Sequence, residues 1–238
     1  MIFISAPFGN YLHYKNAISV HGTFTVAPRP GRLKAIVKTL RYTKQGWRNK
    51  LGLRNPGLHA GMFKTSYDNV LSVSAIEPSD WTKIQMAIGK ERNIELNVSC
   101  PNLDSHDDTT TWENFEKFPD IMLGNYCIVK IPPNSPEAFI DRLVDMGYKQ
   151  IHASNTLPTD KGGLSGKILQ PYTLKITEYI KDKYPEVEVI AGGGITKPED
   201  AKTYYNAGAD HISLGSVCFT PWKVGKIINE SSGNRLQS

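Results

Sequence analysis

Eight short apolar runs recur along this chain, and their spacing constrains its fold more than any other feature. They lie at Ile2–Ala6, Ala17–Val20, Val70–Ala75, Ile94–Val98, Tyr126–Ile131, Gln150–Ala153, Val187–Ala191 and His211–Leu214. Patterns of helical period separate most of them, at Trp81–Arg92, Pro136–Met146 and Leu169–Lys183, with further helices opened by Thr196–Asp200 and Thr220–Trp222. Ser135 reads as an N-cap ahead of Pro136, Glu137 favours the positive end of the helix, and Gly147 closes it. Strand–helix alternation calls for parallel pairing with a crossover each time. Eight such strands predict an α/β fold, a single (β/α)8 TIM barrel over residues 1–230, with a frayed tail at 231–238. An open doubly wound sheet is the competing fold, but no early Gly-rich turn marks it.

The first half departs from the regular pattern. The gap between Ala6 and Ala17 is too short for a full crossover helix. The stretch from Thr23 to Asn69 is long and rich in Arg, Pro, Gly and Asn. It reads as an irregular, loop-rich segment after strand two that covers the active site.

Polar residues gather where strands end. Glu95-Leu-Asn-Val-Ser-Cys-Pro-Asn102 begins as an alternating strand and finishes in Asn97, Ser99, Cys100 and Asn102, with Pro101 ending the ladder. At the C-terminal end of a strand in an α/β protein, ligands bind. A thiol can move a proton while carboxamides grip a carbonyl-rich ring; the plainer reading is a polar turn with a small buried thiol. Val189-Ile-Ala-Gly-Gly-Gly-Ile195 and Ser213-Leu-Gly-Ser216 follow consecutive strands, where barrel loops hold phosphate on backbone N–H groups, with the helix near Pro221 adding its positive end. Lys130 interrupts the apolar strand Ile128–Ile131; facing the barrel mouth it would neutralise developing negative charge, and the plainer reading is an edge-facing surface lysine. His152, at the end of strand six, reads by itself as a satisfied histidine.

Charge and cysteines narrow the class. A formal net charge of +5 suits a phosphate-bearing cofactor or anionic substrate, and nucleic acid is not expected because no Lys/Arg-rich run occurs. Three cysteines, at 100, 127 and 218, give no disulfide framework and no metal spacing, which points to a reducing, cytoplasmic compartment. No apolar run of eighteen occurs and no charged region precedes the first strand, so neither a membrane span nor a signal peptide is expected.

Taken in order, ELNVSCPN, IVKIPP, SNT with GGLSG, AGGGI and LGS resemble the dihydroorotate dehydrogenase family, as do Pro28–Gly31 and Arg48–Gly57 with its Asn-x-x-Gly-Leu-x-Asn loop. The resemblance runs from about Ser5 to Ser216. It implies an FMN-dependent dehydrogenase of pyrimidine biosynthesis that oxidises dihydroorotate to orotate, acting on a CH–CH bond. Cys100 matches the base of the soluble members. Asn49, Asn97, Asn102, Asn155 and Thr156 match substrate contacts, with Gly52 and Leu53 supplying backbone. Ala6, Asn97, Lys130, Gly166, Gly193, Gly194, Gly215 and Ser216 match positions around FMN. A separate electron acceptor is implied, a membrane quinone is not expected, and a homodimer is left open.

Three departures stand out. Gly22 falls where the family carries a lysine, with Lys38 a candidate substitute. The chain is short in its first crossover. Leu103–Asp108 is acidic, which disfavours a thiolate at Cys100. Three other readings stay open: a flavin barrel acting on another dihydropyrimidine, as in dihydrouridine synthases; a flavin binder without catalysis; and a flavin-free phosphate-binding lyase or isomerase.

Overall fold

Alternating side chains close the first strands into a barrel. The computed structural model describes residues 1–98, 115, 118–121 and 126–233. Strands β1 (Ile2–Ile4), β2 (Ile18–Phe24), β5 (Val70–Val73), β6 (Asn93–Asn97), β7 (Cys127–Ile131), β8 (Gln150–Ala153), β11 (Glu188–Gly192) and β12 (His211–Leu214) form a closed barrel in the order β1-β12-β11-β8-β7-β6-β5-β2. Every neighbouring pair is parallel. All eight expected runs are therefore barrel strands.

Between them lie α3 (Ser79–Ile88), α4 (Phe118–Ile121), α5 (Glu137–Asp145), α6 (Gln170–Lys183), α7 (Pro198–Asn206) and α8 (Pro221–Gly233). Helix α3 stops sooner than its pattern suggested because Gly89 takes φ 72, a conformation that favours glycine and ends helices. Ser135 does not cap α5: Pro136 holds the N-cap position, and the Ser135 hydroxyl donates to Pro132 O. Helix α8 continues to Gly233 and buries Ser231, so the chain is still helical where a frayed tail was expected to begin. Among the described residues, no helix is long and apolar enough to cross a membrane.

The stretch from Thr23 to Asn69 is more ordered than its composition suggested. It contains α1 (Arg32–Thr39), the hairpin β3 (Arg41–Thr43) and β4 (Gly46–Asn49), and α2 (Leu58–Lys64). β4 pairs antiparallel with β10 (Gly162–Ser165), which pairs with β9 (Leu157–Thr159). The second half of the chain thus completes a four-stranded sheet begun in the first half, order β3-β4-β10-β9. Sequence reasoning missed it because its pairing partners lie more than a hundred residues apart and both strands are short and polar.

The apolar core has two locations. Outside the barrel, helices pack on strands through residues such as Trp81, Ile84, Leu96, Val129 and Ile180, and a second cluster joins β1, β11 and β12 to α7 and α8. Inside, Phe3, Val20, Val70, Ile128 and Ile190 meet as one small cluster. The barrel strands also carry buried polar groups, Ser72, Glu95, Lys130, His152 and Ser213, and on β5 and β7 these lie two residues beyond Val70 and Ile128, toward the C-terminal ends. The barrel interior is thus sorted into an apolar floor and a polar layer above it. Trp81 is 2% exposed and meets the edges of Phe115 and Phe118. Trp81→Ala is expected to cost about 3–5 kcal/mol, read as a fall in the midpoint of urea unfolding.

Candidate active site

The polar layer is built on one buried carboxylate. Glu95 follows Ile94 and precedes Leu96, so strand alternation turns it inward while its neighbours face the helices. It is fully buried. Ser72 Oγ donates to Glu95 Oε1 at 2.8 Å, His152 Nδ1 lies 2.6 Å from Oε2, and Lys130 Nζ lies 4.0 Å from Oε1. Burial alone would raise this carboxyl, but the Lys130 charge and the bonds from His152 and Ser72 outweigh it and hold the group at about 2. Burial, with Lys130 beside it, lowers the His152 pKa despite the pull of Glu95. The layer is therefore a carboxylate and an ammonium with a neutral imidazole between the strands. His152 has a defined partner here, and Glu95 is the site feature that sequence reading passed over. Its signal was present: a carboxylate at an inward position of an apolar strand is rare unless paired.

From this layer the carboxamides are reached. Asn97 Nδ2 donates to Thr23 Oγ1 at 3.1 Å, and Asn155 Nδ2 donates to Asn97 Oδ1 at 3.0 Å. Thr156 N–H donates to Asn155 Oδ1 at 2.9 Å. Asn97 and Asn155 come from β6 and the end of β8, so the fold brings together two residues far apart in the chain. Asn155, Thr156, Lys130 and Ala6 line a cavity of about 350 Å³, as does Asn49 from the small sheet.

The glycine-rich loops close the opposite end. Gly193, Gly194, Gly215 and Ser216 all line the cavity. Gly193 and Gly194 take φ 107 and 73, and Tyr204 Oη and Gln170 Nε2 donate to their carbonyls. Among the described residues, the backbone N–H groups of these four positions have no acceptor. Gly166 does not line the cavity; its carbonyl supports Gly194, where a Cβ would come within 3.0 Å of it. Helix α8 also starts outside, and the 3-10 turn Ser216–Phe219 takes its place at the cavity wall.

The small sheet and α1 form the roof. The Trp47 ring lies 4.2 Å from that of Phe219 at a tilt of 31°, Phe219 meets Phe8 edge-on, and Ile36 and Leu40 line the cavity from above. Gly52 and Leu53 lie off the cavity wall, with their carbonyls accepting from Arg29 Nε and Asn55 Nδ2; Leu51 lines it instead. The first 67 residues hold eleven Lys and Arg and no Asp or Glu. Lys38 is exposed and away from the wall, so the roof cation that reaches the cavity is Arg32.

Gly22 occupies an irregular step between β2 and β5. Asn10 brackets it, accepting from Gly22 N–H and donating to Gly22 O. Its φ is 120, and a Cβ would stand 2.4 Å from Ser72 O. No lysine fits this backbone, so Gly22→Lys would disturb the barrel before it restored a charge. Cys100 and Asn102 lie outside the described residues. Cys127 and Cys218 are buried thiols, and burial pushes each up to about 12, so neither is a thiolate at neutral pH.

The Glu95 carboxyl is lower in the folded than in the unfolded chain, so its stabilisation is present above the unfolded pKa and fades as pH falls toward the folded value. The stability gap between wild type and Glu95→Gln should therefore shrink by roughly 2 kcal/mol between pH 5 and pH 3, measured by urea unfolding of both proteins at each pH.

Comparison with known proteins agrees with this geometry. The family profile described as dihydroorotate dehydrogenase matches residues 10–233. The chain is 27% identical over 250 residues to the dihydroorotate dehydrogenase B (NAD(+)) catalytic subunit of Thermotoga maritima, covering 92% of this chain and 91% of that protein. It is 23% identical to the dihydroorotate dehydrogenase A (fumarate) of Lactiplantibacillus plantarum, covering 82% and 73%. In fold it resembles the dihydroorotate dehydrogenase of Eimeria tenella solved with ferulenol, with a TM-score of 0.76 at 18% identity over 99% of this chain and 81% of that one. The chain is an oxidoreductase of the type that acts on CH–CH bonds and belongs to the dihydroorotate dehydrogenase family.

Proposed function

We propose that this chain binds FMN in the cavity and oxidises dihydroorotate to orotate, passing electrons to a separate acceptor. The observation that carries the reading is the pairing of two cavity ends: four backbone N–H groups at Gly193, Gly194, Gly215 and Ser216 that have no acceptor among the described residues, and a polar layer with Lys130 at the other. The first suits a phosphate, because the αL and related conformations of the glycines let oxygens approach closely. The second suits the polar edge of a flat ring. A cavity of about 350 Å³ under Trp47, Phe8 and Phe219 suits a flat aromatic body between them. The residues present therefore fit FMN.

When bound, FMN supplies two-electron oxidation, which no side chain provides. The chain's own groups do the rest. Cys100, by the family resemblance, removes a ring proton from the substrate. Asn97 and Asn155, already hydrogen-bonded to each other, orient the substrate's carbonyl and N–H groups together with Asn49 and Asn102. Lys130 stabilises negative charge that develops in the site. The roof, with Arg32 at the wall and no acidic residue among the first 67, draws an anionic substrate toward the opening. That roof answers the absent lysine at Gly22 and favours dihydroorotate over an uncharged dihydropyrimidine.

Purified protein should release FMN on denaturation, identified by chromatography, and anaerobic dihydroorotate should bleach it. Release of FAD, or no uptake of added FMN, would refute the cofactor assignment. Gly193→Asp should abolish FMN binding, since a new Cβ would meet Leu169 Cβ at 2.8 Å and the carboxylate would oppose the phosphate. Cys100→Ala should retain flavin and slow bleaching roughly 10²-fold; an unchanged single-turnover rate would remove Cys100 from the mechanism. In stopped-flow titrations, Arg32→Gln should raise the half-saturating dihydroorotate concentration several-fold and leave dihydrouracil little affected. Equal effects on both would show that Arg32 does not serve the carboxylate.

A further inference from the structure

The hydrogen bonds that leave Glu95 form one run whose direction is set by the chemistry of its members. The carboxylate can only accept. Ser72 donates its single proton to Glu95 Oε1, so the 3.0 Å contact between Ser72 and Thr23 is a donation by Thr23. Thr23 then accepts from Asn97, Asn97 accepts from Asn155, and Asn155 accepts from the Thr156 N–H. On the other side, an acceptor oxygen 2.6 Å from His152 Nδ1 requires the proton to lie on Nδ1. The neutral ring consequently carries its lone pair on Nε2. Among the described residues no hydrogen bond uses Nε2. It lies against Gly192, where a Cβ would come within 3.0 Å, and both residues line the cavity. Lys130, the register partner of His152 on the next strand, lines the cavity beside it.

We propose that Glu95 is a positioning residue that fixes His152 as a hydrogen-bond acceptor toward the cavity, so that Lys130 and His152 together present a donor beside an acceptor to a cyclic imide. An imide edge offers the complement, a carbonyl oxygen next to an N–H. The inference rests on the flavin reading for its ligand, because the flavin pyrimidine ring carries such an edge. A cluster serving stability alone would leave the tautomer of His152 and the choice between imide and N-alkyl imide without consequence. Here both matter: a ligand N–H must meet a lone pair, and an N-methyl group in its place removes the donor and adds bulk.

Two measurements on the full chain test this. Nitrogen-15 NMR of ring-labelled histidine in ligand-free wild type should show His152 as the Nδ1–H tautomer at neutral pH. An Nε2–H tautomer, or an imidazolium, would overturn the proton order without any variant having to fold. Fluorescence titration should then show FMN binding at least tenfold more tightly than 3-methyl-FMN. In Glu95→Gln and in His152→Phe that preference should fall below threefold, and Glu95→Gln should show the Nε2–H tautomer appearing in the NMR spectrum, since Ser72 and His152 bond to different carboxylate oxygens and the amide puts a donating NH2 at one of those two positions. A preference that persists in both variants would overturn the contact. Failure of wild type to bind FMN would refute the flavin reading and the imide contact with it, while the tautomer would still decide the proton order.

Discussion

A carboxylate with no solvent contact has to be matched inside the protein, and the matching of Glu95 organises this barrel. An unpartnered ion there would be costly, and removing one partner of such a cluster typically costs about 3–5 kcal/mol. The partners come from three other strands: Ser72 on β5, Lys130 on β7 and His152 on β8. Strand register sets Ser72 opposite Glu95 and Lys130 opposite His152, and the closed barrel brings the two pairs into contact. Below them the apolar cluster around Phe3 and Ile128 fills the barrel. Above them lies the cavity. The layer therefore acts as the floor of the site and ties its geometry to barrel closure.

The roof solves a different problem. A barrel of short strands leaves its C-terminal mouth open, and two distant segments cover it by pairing β4 with β10. Trp47 and Ser165 lie opposite each other in that pairing and both line the cavity. The segment that supplies most of the roof also carries most of the chain's unbalanced positive charge. Cover and electrostatic field are thus contributed by the same residues, and a negatively charged ligand meets favourable potential along its approach.

At Gly22, where the family resemblance implies a lysine, backbone packing decides what the position can hold. The bracket from Asn10 and the carbonyl of Ser72 leave no volume for a side chain at that point. The hydroxyl of the same Ser72 belongs to the Glu95 network. In this chain, space that a lysine would need is taken by strand contact, and positive charge reaches the cavity from Arg32 in the roof and from Lys130 in the floor.

Much of the fold was legible in the chain itself. Each barrel strand announces itself as a short apolar run bounded by turn residues, and run length together with period separates those runs from helices, because local sterics and burial act over a few residues. The glycines after β11 and β12 and the carboxamides at Asn97 and Asn155 were likewise visible as residue types at strand ends. What the chain alone did not reveal depends on contacts between distant segments. The β4–β10 pairing, the replacement of Lys38 by Arg32 at the cavity wall, and the retreat of Gly52, Leu53 and Gly166 from it are all set by how the roof docks. The meaning of His152 changed for the same reason. As a sequence position it is an ordinary histidine at the end of a strand; fifty-seven residues from Glu95, it becomes a ring with a defined tautomer only when strand register places it 2.6 Å from that carboxylate. Local propensity determines which segments are strands, whereas charge pairing across the barrel is a long-range interaction that exists only after closure.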